Sequence, residues 1–236
     1  MKYLRDEAVR YLGAKRGDRG AEQLTDIAYL KLRNEISPRK LYRIFDCCVD
    51  DGGVSLAGEY FASERLAKHL AGCEKAVLLA VTLGSKTDVA LRALTLKSIA
   101  EGAAGQAVCA ALTESLCDEA EAEIVAEACD YLLRPRFSPG YGDWSLADQP
   151  KLLRLLEAEK RIGLTLTAGG QLAPLKSVTA IIGLSVRQTA GDASVNATPV
   201  QEKLSLTREP ETGIIDKCAE CDKTDCEFRK GRVDAI

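Results

Sequence analysis

Arg134, Arg136, Ser138, Tyr141 and Trp144 fall within one short segment, Arg134-Pro135-Arg136-Phe137-Ser138-Pro139-Gly140-Tyr141-Gly142-Asp143-Trp144. Its guanidinium groups offer planar forks of donors that match a carboxylate or another small anion. Proline lacks a backbone donor and fixes φ, while glycine permits positive φ, so Pro135, Pro139, Gly140 and Gly142 deny the segment a long helix or a central strand. The segment is a shaped loop in which glycine lets a ligand approach the backbone. Two readings stand on composition alone. One is a loop that grips a carboxylate-bearing ligand; the other is a proline-rich turn in which Tyr141 and Trp144 cover a core edge.

A second concentration of chemistry lies near the C-terminus, where Cys218, Cys221 and Cys226 are closely spaced. In a reducing compartment such spacing points to a metal more than to a disulfide, and soft thiolates select zinc or an iron–sulfur cluster. Three thiolates leave a four-ligand site one short, and Cys47, Cys48, Cys73, a carboxylate or a second chain would complete it. A redox-active or free-thiol tail is the alternative, as is no role at all. Cys109, Cys117 and Cys129 follow a helical pattern and read as small apolar residues in or near the core. His69 is the only histidine; it reads as a surface or semi-buried residue of a short helix.

The elements that must position these groups follow from periodicity. Lys2 to Leu12 reads as a helix ended by Gly13, and a second helix carries Leu24, Ile27, Ala28 and Leu32. Leu41 to Cys48 and Val54 to Ala57 read as a hairpin about Asp50-Asp51-Gly52-Gly53, followed by a short helix capped by Ser63. The apolar run Ala76 to Leu83 is a buried strand, after which Ser85 or Thr87 caps a helix. Val108, Leu112, Leu116, Ile124, Val125, Cys129 and Leu132 recur at helical intervals, so a long amphipathic helix from Ala104 to Leu133 delivers the chain to the arginine loop, with Glu114 and Asp118 among its polar positions. Lys151 to Arg161 is a helix, and Leu164 to Thr167 and Ser177 to Ser185 are strands. Strands returning through short turns, with helices clustered between them, predict an α+β fold: a single domain over 1–188 with a mainly antiparallel sheet and long helices, then a cysteine-containing C-terminal arm over 189–236. A glycine-rich Gly-x-Gly-x-x-Gly turn after a strand is missing, so the doubly wound nucleotide-binding fold is not predicted.

The loop and the segment C-terminal to it carry a resemblance. Arg136-x-x-Pro139-Gly140-Tyr141, a leucine-rich helix with Glu157 and Glu159-Lys160, then Gly163-Leu164-x-Leu166-Thr167 and Ser177-Val178 resemble the activation domain of cobalamin-dependent methionine synthase. The similarity runs from about Val81 to about Leu184 and is most specific between Arg136 and Ser177. It implies an S-adenosylmethionine site in which Arg136 pairs with the methionine carboxylate, the Ser138 backbone bonds the ligand, Gly140 gives room and Tyr141 lies at the corrin-facing edge. Asp118, or Glu114 one turn away, would be the carboxylate that contacts the ligand. Where the synthase carries a proline and a cysteine soon after the tyrosine, this chain has Gly142, Asp143 and Trp144, a departure that falls on the corrin side.

The resemblance implies a stand-alone reactivation protein that serves the reductive methylation of cob(II)alamin. The chain has no Asp-x-His-x-x-Gly segment, so the cobalamin would be carried by a partner, a methionine synthase or related corrinoid protein, with an electron donor such as flavodoxin or ferredoxin. An iron–sulfur or metal-binding electron-transfer protein and an S-adenosylmethionine-sensing regulatory module are the alternatives. Composition is compatible with all three. The formal net charge of −3 gives no basic excess for nucleic acid. Neither a membrane-length apolar run nor a signal-like N-terminus is present, which predicts a cytoplasmic protein.

Overall fold

The computed structural model describes residues 1–187. The cysteines at 218, 221 and 226, and the arm that carries them, lie outside the described residues.

The fold is α+β. Its sheet grows around the apolar run foreseen as a buried strand, β4 (Lys75–Thr82), in which every residue after Lys75 is buried. A strand can be apolar on both sides only if both sides are covered, and here they are. Val77, Leu79 and Val81 join one core with Leu112, Leu116 and Ile124 of a long helix, while Ala76, Leu78 and Ala80 join a second core with Phe61, Trp144 and Leu152. Three layers result, with the sheet in the middle.

The first helical layer is α1 (Arg5–Tyr11), α2 (Arg19–Leu32), α4 (Ser85–Lys97) and α5 (Ile99–Glu127); the second is built by α3 (Glu64–His69), α6 (Gln149–Leu156) and α7 (Ala158–Ile162). The remaining strands of the main sheet are β1 (Arg39–Asp50), β2 (Gly53–Leu56), β3 (Glu59–Ala62), β5 (Tyr131–Leu133) and β8 (Ser177–Val186), in the order β3-β2-β1-β4-β8-β5. All of the pairings are antiparallel. β1 pairs with β4 from Arg39 to Asp46 and with β2 from Cys47 to Asp50. A separate two-stranded ribbon joins β6 (Thr165–Leu166) to β7 (Leu172–Ala173).

Several boundaries differ from the sequence expectation for identifiable reasons. The long helix stops at Glu127, and Tyr131–Leu133, foreseen as its last turn, pairs with β8 instead. Cys129 is consequently exposed in the connection, while Cys109 and Cys117 are buried as expected. The helix foreseen over 151–161 is two helices, split at Glu157, whose φ is 53°. The cap of α4 is Gly84, at φ 85°, and the Thr87 hydroxyl turns back to the Leu83 carbonyl at 2.8 Å. β3 had no sequence counterpart. Among the described residues, no helix is long and apolar enough to cross a membrane.

The turn from α4 to α5 is tight enough to be tested. A Cβ placed on Gly102 would lie 2.6 Å from Thr95 Oγ1 and 2.7 Å from Thr95 Cα. Alanine would gain about 1 kcal/mol of helix propensity, but a backbone clash cannot be relieved by a rotamer change and overpacking costs about 1–3 kcal/mol. Gly102→Ala is therefore expected to lower the urea midpoint with an unchanged slope. A raised midpoint would show that the helices are free to separate there.

Candidate functional site

The arginine loop begins as the continuation of an edge strand. β5 pairs with β8 as far as Leu133↔Leu184, and the Arg134 N–H donates to Gly183 O at 2.8 Å. The ladder resumes at Phe137↔Ile181, which exchange N–H···O bonds of 2.9 and 2.8 Å. The loop has spent one more residue than β8 over this interval, which is a β-bulge at Pro135-Arg136. A one-residue slip turns the following side chains to the opposite face of the sheet. Leu133 accordingly lies in the α5 core, whereas Phe137 packs against the other layer.

The Arg136 side chain, only 8% exposed, runs to α5, where Glu114, Asp118 and Glu121 sit at i, i+4 and i+7 on one face. The distances are 2.8 Å to Glu114 Oε2, 3.1 Å to Asp118 Oδ1 and 2.9 Å to Glu121 Oε1. The pairs differ in surroundings: the Glu121 side chain is as buried as the arginine, at 8%, while those of Glu114 and Asp118 are 41% and 52% exposed. Burial opposes the guanidinium charge, but the surrounding acids, Glu121 foremost, hold its proton affinity above the ordinary arginine range. One cation faces three carboxylates, so the exposed lip of the site carries negative charge.

Beyond the bulge the loop is fixed from several sides. His69, the last residue of α3, is within 2.7 Å of the Pro135 carbonyl through Nε2; the carbonyl accepts, so that nitrogen carries the proton. The Asp143 carboxylate caps the other end of α3, taking the Ser63 hydroxyl and the Glu64 and Arg65 N–H groups. The Ser63 bond first, and then these backbone donors, hold the Asp143 carboxyl below its ordinary range. Gly140 (φ 94°) and Gly142 (φ 60°) supply the positive φ angles between these anchors. Gly140 N–H reaches the Trp144 carbonyl at 2.8 Å and Tyr141 N–H the Ser138 carbonyl at 3.0 Å.

The structure brings Arg136, Glu114 and Asp118 together and leaves Ser138, Gly140 and Tyr141 on the adjoining stretch of loop. Tyr141 is 57% exposed, its ring set edge-on to Phe137 at 5.8 Å. Of the two readings of the loop, Trp144 follows the one in which it covers the core, packed on Phe61 and Phe137 and donating from Nε1 to Asp148 at 3.0 Å. The expectation for Arg134 changes. Arg134 is buried on the α3 side and donates to the Ala71 carbonyl at 3.3 Å, leaving Arg136 as the loop's arginine beside the α5 acids. Glu121 and His69 were not singled out as site residues. The i, i+4, i+7 spacing of Glu114, Asp118 and Glu121 was a readable signal for the first; the second had none.

Among the described residues, no group of histidine, cysteine and carboxylate is arranged to hold a metal ion. Of the cysteines weighed as a fourth ligand to the distal cluster, Cys47 and Cys73 are buried and Cys48 is exposed. Burial pushes the Cys47 thiol up to about 12, well away from the thiolate form that metals bind.

Burial also lowers the His69 pKa, outweighing its bond to the Pro135 carbonyl. The unfolded chain then binds a proton more readily than the folded one, so this residue's contribution to stability is complete above about pH 6.5 and declines as the pH falls toward the folded value. His69→Gln retains a donor without a titration. It is expected to flatten the stability profile between roughly pH 7 and 5, measured by urea unfolding; an unaltered slope would put the acid sensitivity elsewhere.

No protein-family model matches the sequence, and no curated protein does. Among solved structures, the chain matches one described as the MetH reactivation domain bound to AdoHcy, with a TM-score of 0.54 and 16% identity over 76% of this chain and 70% of that one. At that identity the match concerns the path of the backbone. The six-stranded antiparallel sheet between helical layers thus shares its overall fold with the MetH reactivation domain.

Proposed function

We propose that this chain binds S-adenosylmethionine where α5 meets loop residues 136–141, and serves the reductive methylation of a corrinoid carried by another polypeptide. The observation that carries this reading is the graded pairing of Arg136 beside Ser138, Gly140 and Tyr141, in a fold whose solved counterpart is described as bound to AdoHcy.

The methionine end of S-adenosylmethionine is a zwitterion, with a carboxylate and an ammonium on one carbon. Arg136 and its acids form the complementary set. Breaking the buried Glu121 pair is expensive, about 3–5 kcal/mol for such pairs, so Glu121 keeps the guanidinium in place. An exposed pair such as Arg136–Asp118 is worth about 0–1 kcal/mol, so a ligand carboxylate can take Asp118's place on the fork. Asp118 or Glu114 then receives the ammonium. Arginine is the appropriate cation, because its two-pronged donor set holds Glu121 and the ligand together.

Along the loop, the Ser138 backbone bonds the ligand and Gly140 leaves space beside it. Tyr141 presents its ring toward the partner corrinoid. In the overall reaction one electron from a donor such as flavodoxin or ferredoxin and the methyl group of S-adenosylmethionine end on cob(II)alamin cobalt, leaving S-adenosylhomocysteine. The contribution of this chain is orientation, as the cofactors supply the bond chemistry. The distal cysteines Cys218, Cys221 and Cys226 form, in this proposal, a separate zinc or iron–sulfur site.

Calorimetric titration with S-adenosylmethionine tests the site. Arg136→Ala is expected to weaken binding by about 2 kcal/mol, or roughly thirtyfold, and Arg136→Lys to fail substantially as well, because a point charge does not replace the fork. Asp118→Asn should weaken it by about tenfold, the loss of one charge-assisted contact. Unchanged affinity in all three variants would remove this loop from the site. Tyr141→Phe should spare binding more than single-turnover methyl transfer to a corrinoid protein; equal losses would make the tyrosine a ligand contact only.

A further inference from the structure

Helix α4 carries more apolar surface than its packing uses. Leu91 and Leu94 are buried in the α5-side core. Val89, Ala93 and Leu96, spaced i, i+4 and i+7, form a second stripe, along which Val89 is 71% and Leu96 81% exposed. Single exposed apolar residues are ordinary, whereas a stripe at helical spacing marks a contact surface. Beside it, between α4 and α2, lies a cavity of about 660 Å³ lined by Val89, Ala93, Leu94, Lys31, Lys86 and Lys97, with Glu35 as its one acidic residue. Lys31 is tied to Glu101 at 2.6 Å. Lys86 and Lys97 stand at opposite ends of α4, about 16 Å apart along its axis, or three turns.

We propose that this face of α2 and α4 is a docking groove for an acidic amphipathic helix of a partner protein, about three turns long. Its apolar stripe lies on Val89, Ala93 and Leu96, and its carboxylates lie against Lys86 and Lys97. The charge of the groove selects the partner, since lysines at both ends repel a basic helix and favour an acidic one. A second copy of this chain is poorly suited to the role, because the acids along α5 are engaged: Glu114, Asp118 and Glu121 on Arg136, Glu123 on Lys40, and Glu127 on the Tyr42 hydroxyl. The groove is independent of the loop site. Glu101, which holds Lys31, is about 20 Å along α5 from Glu114, so a helix docked here leaves the exposed lip of the loop site uncovered.

The test uses the full chain and a fluorescein-labelled synthetic peptide of about 14 residues, with leucines at i, i+4, i+7 and i+11 and glutamates flanking them. Fluorescence anisotropy is expected to show saturable binding with a dissociation constant on the order of 10 μM. Val89→Asp, and separately the double change Lys86→Glu with Lys97→Glu, should each weaken it by about tenfold or more. These positions are exposed, so circular dichroism should be unchanged. Raising salt from about 0.05 to 0.5 M should weaken binding several-fold. Absence of saturable binding, equal binding of a peptide with lysines in place of its glutamates, or indifference to both variants would overturn the proposal. So would self-association in sedimentation velocity that Val89→Asp abolishes, because it would assign the face to a second copy.

Discussion

A guanidinium does not surrender its proton inside a protein, so wherever the backbone sends one, counter-charge must follow. The extra residue between Leu133 and Phe137 turns Arg136 under the loop and toward α5, and three carboxylates on that helix meet it there. Register, helix face and charge are thereby tied together. Had β5 continued into the loop without the bulge, Phe137 would share a face with Leu133. Its partners Trp144 and His69, on the other side, would then lose the ring they pack against.

The two cores divide this work. The core between the sheet and α5 is built from interlocking aliphatic residues, and it fixes the acidic face of α5 relative to β8. The opposite core contains the aromatic cluster of Phe61, Phe137 and Trp144, which holds the loop from below. The candidate ligand surface lies at the seam, where displacement of either layer would alter the distance between Arg136 and Asp118. A site assembled across a seam is held by packing rather than by its own contacts, which suits one whose exposed ion pairs are individually weak.

What was legible in the sequence had a local cause. The continuous apolar run announced β4, the Asp-Asp-Gly-Gly turn announced the β1–β2 hairpin, and Ser63 was correctly read as a cap, with its hydroxyl accepting from Leu66 N–H. What was missed depended on partners distant in the chain. Ile124, Val125, Cys129 and Leu132 keep a helical spacing beyond the point where α5 ends, and only pairing with β8 makes Tyr131–Leu133 a strand. A break at Glu157 in left-handed conformation has no marker of the kind glycine provides. The arginine loop was recognised by its residues, and Trp144 takes the core-covering reading they allowed; the burial of Arg134 follows from its alternation with Leu133 in the pairing with β8, which no residue type encodes. Arg136, Glu114 and Asp118 were singled out separately; that one is already bound to the others is a tertiary fact.

Helix α3 has only six residues, too few to persist alone in water. Both of its ends nevertheless grip the arginine loop: His69 holds the carbonyl where the loop starts, and Asp143, near where it finishes, caps the first turn. Helix and loop therefore make one closed mechanical cell, bridged by a strut of about 9 Å at 1.5 Å per residue. Neither can loosen without the other, so amide protection in α3 and in the loop should rise and fall as a single cooperative unit. A ligand arriving at the loop would find it already immobilised, and the entropy of ordering it would have been spent in folding, not in binding.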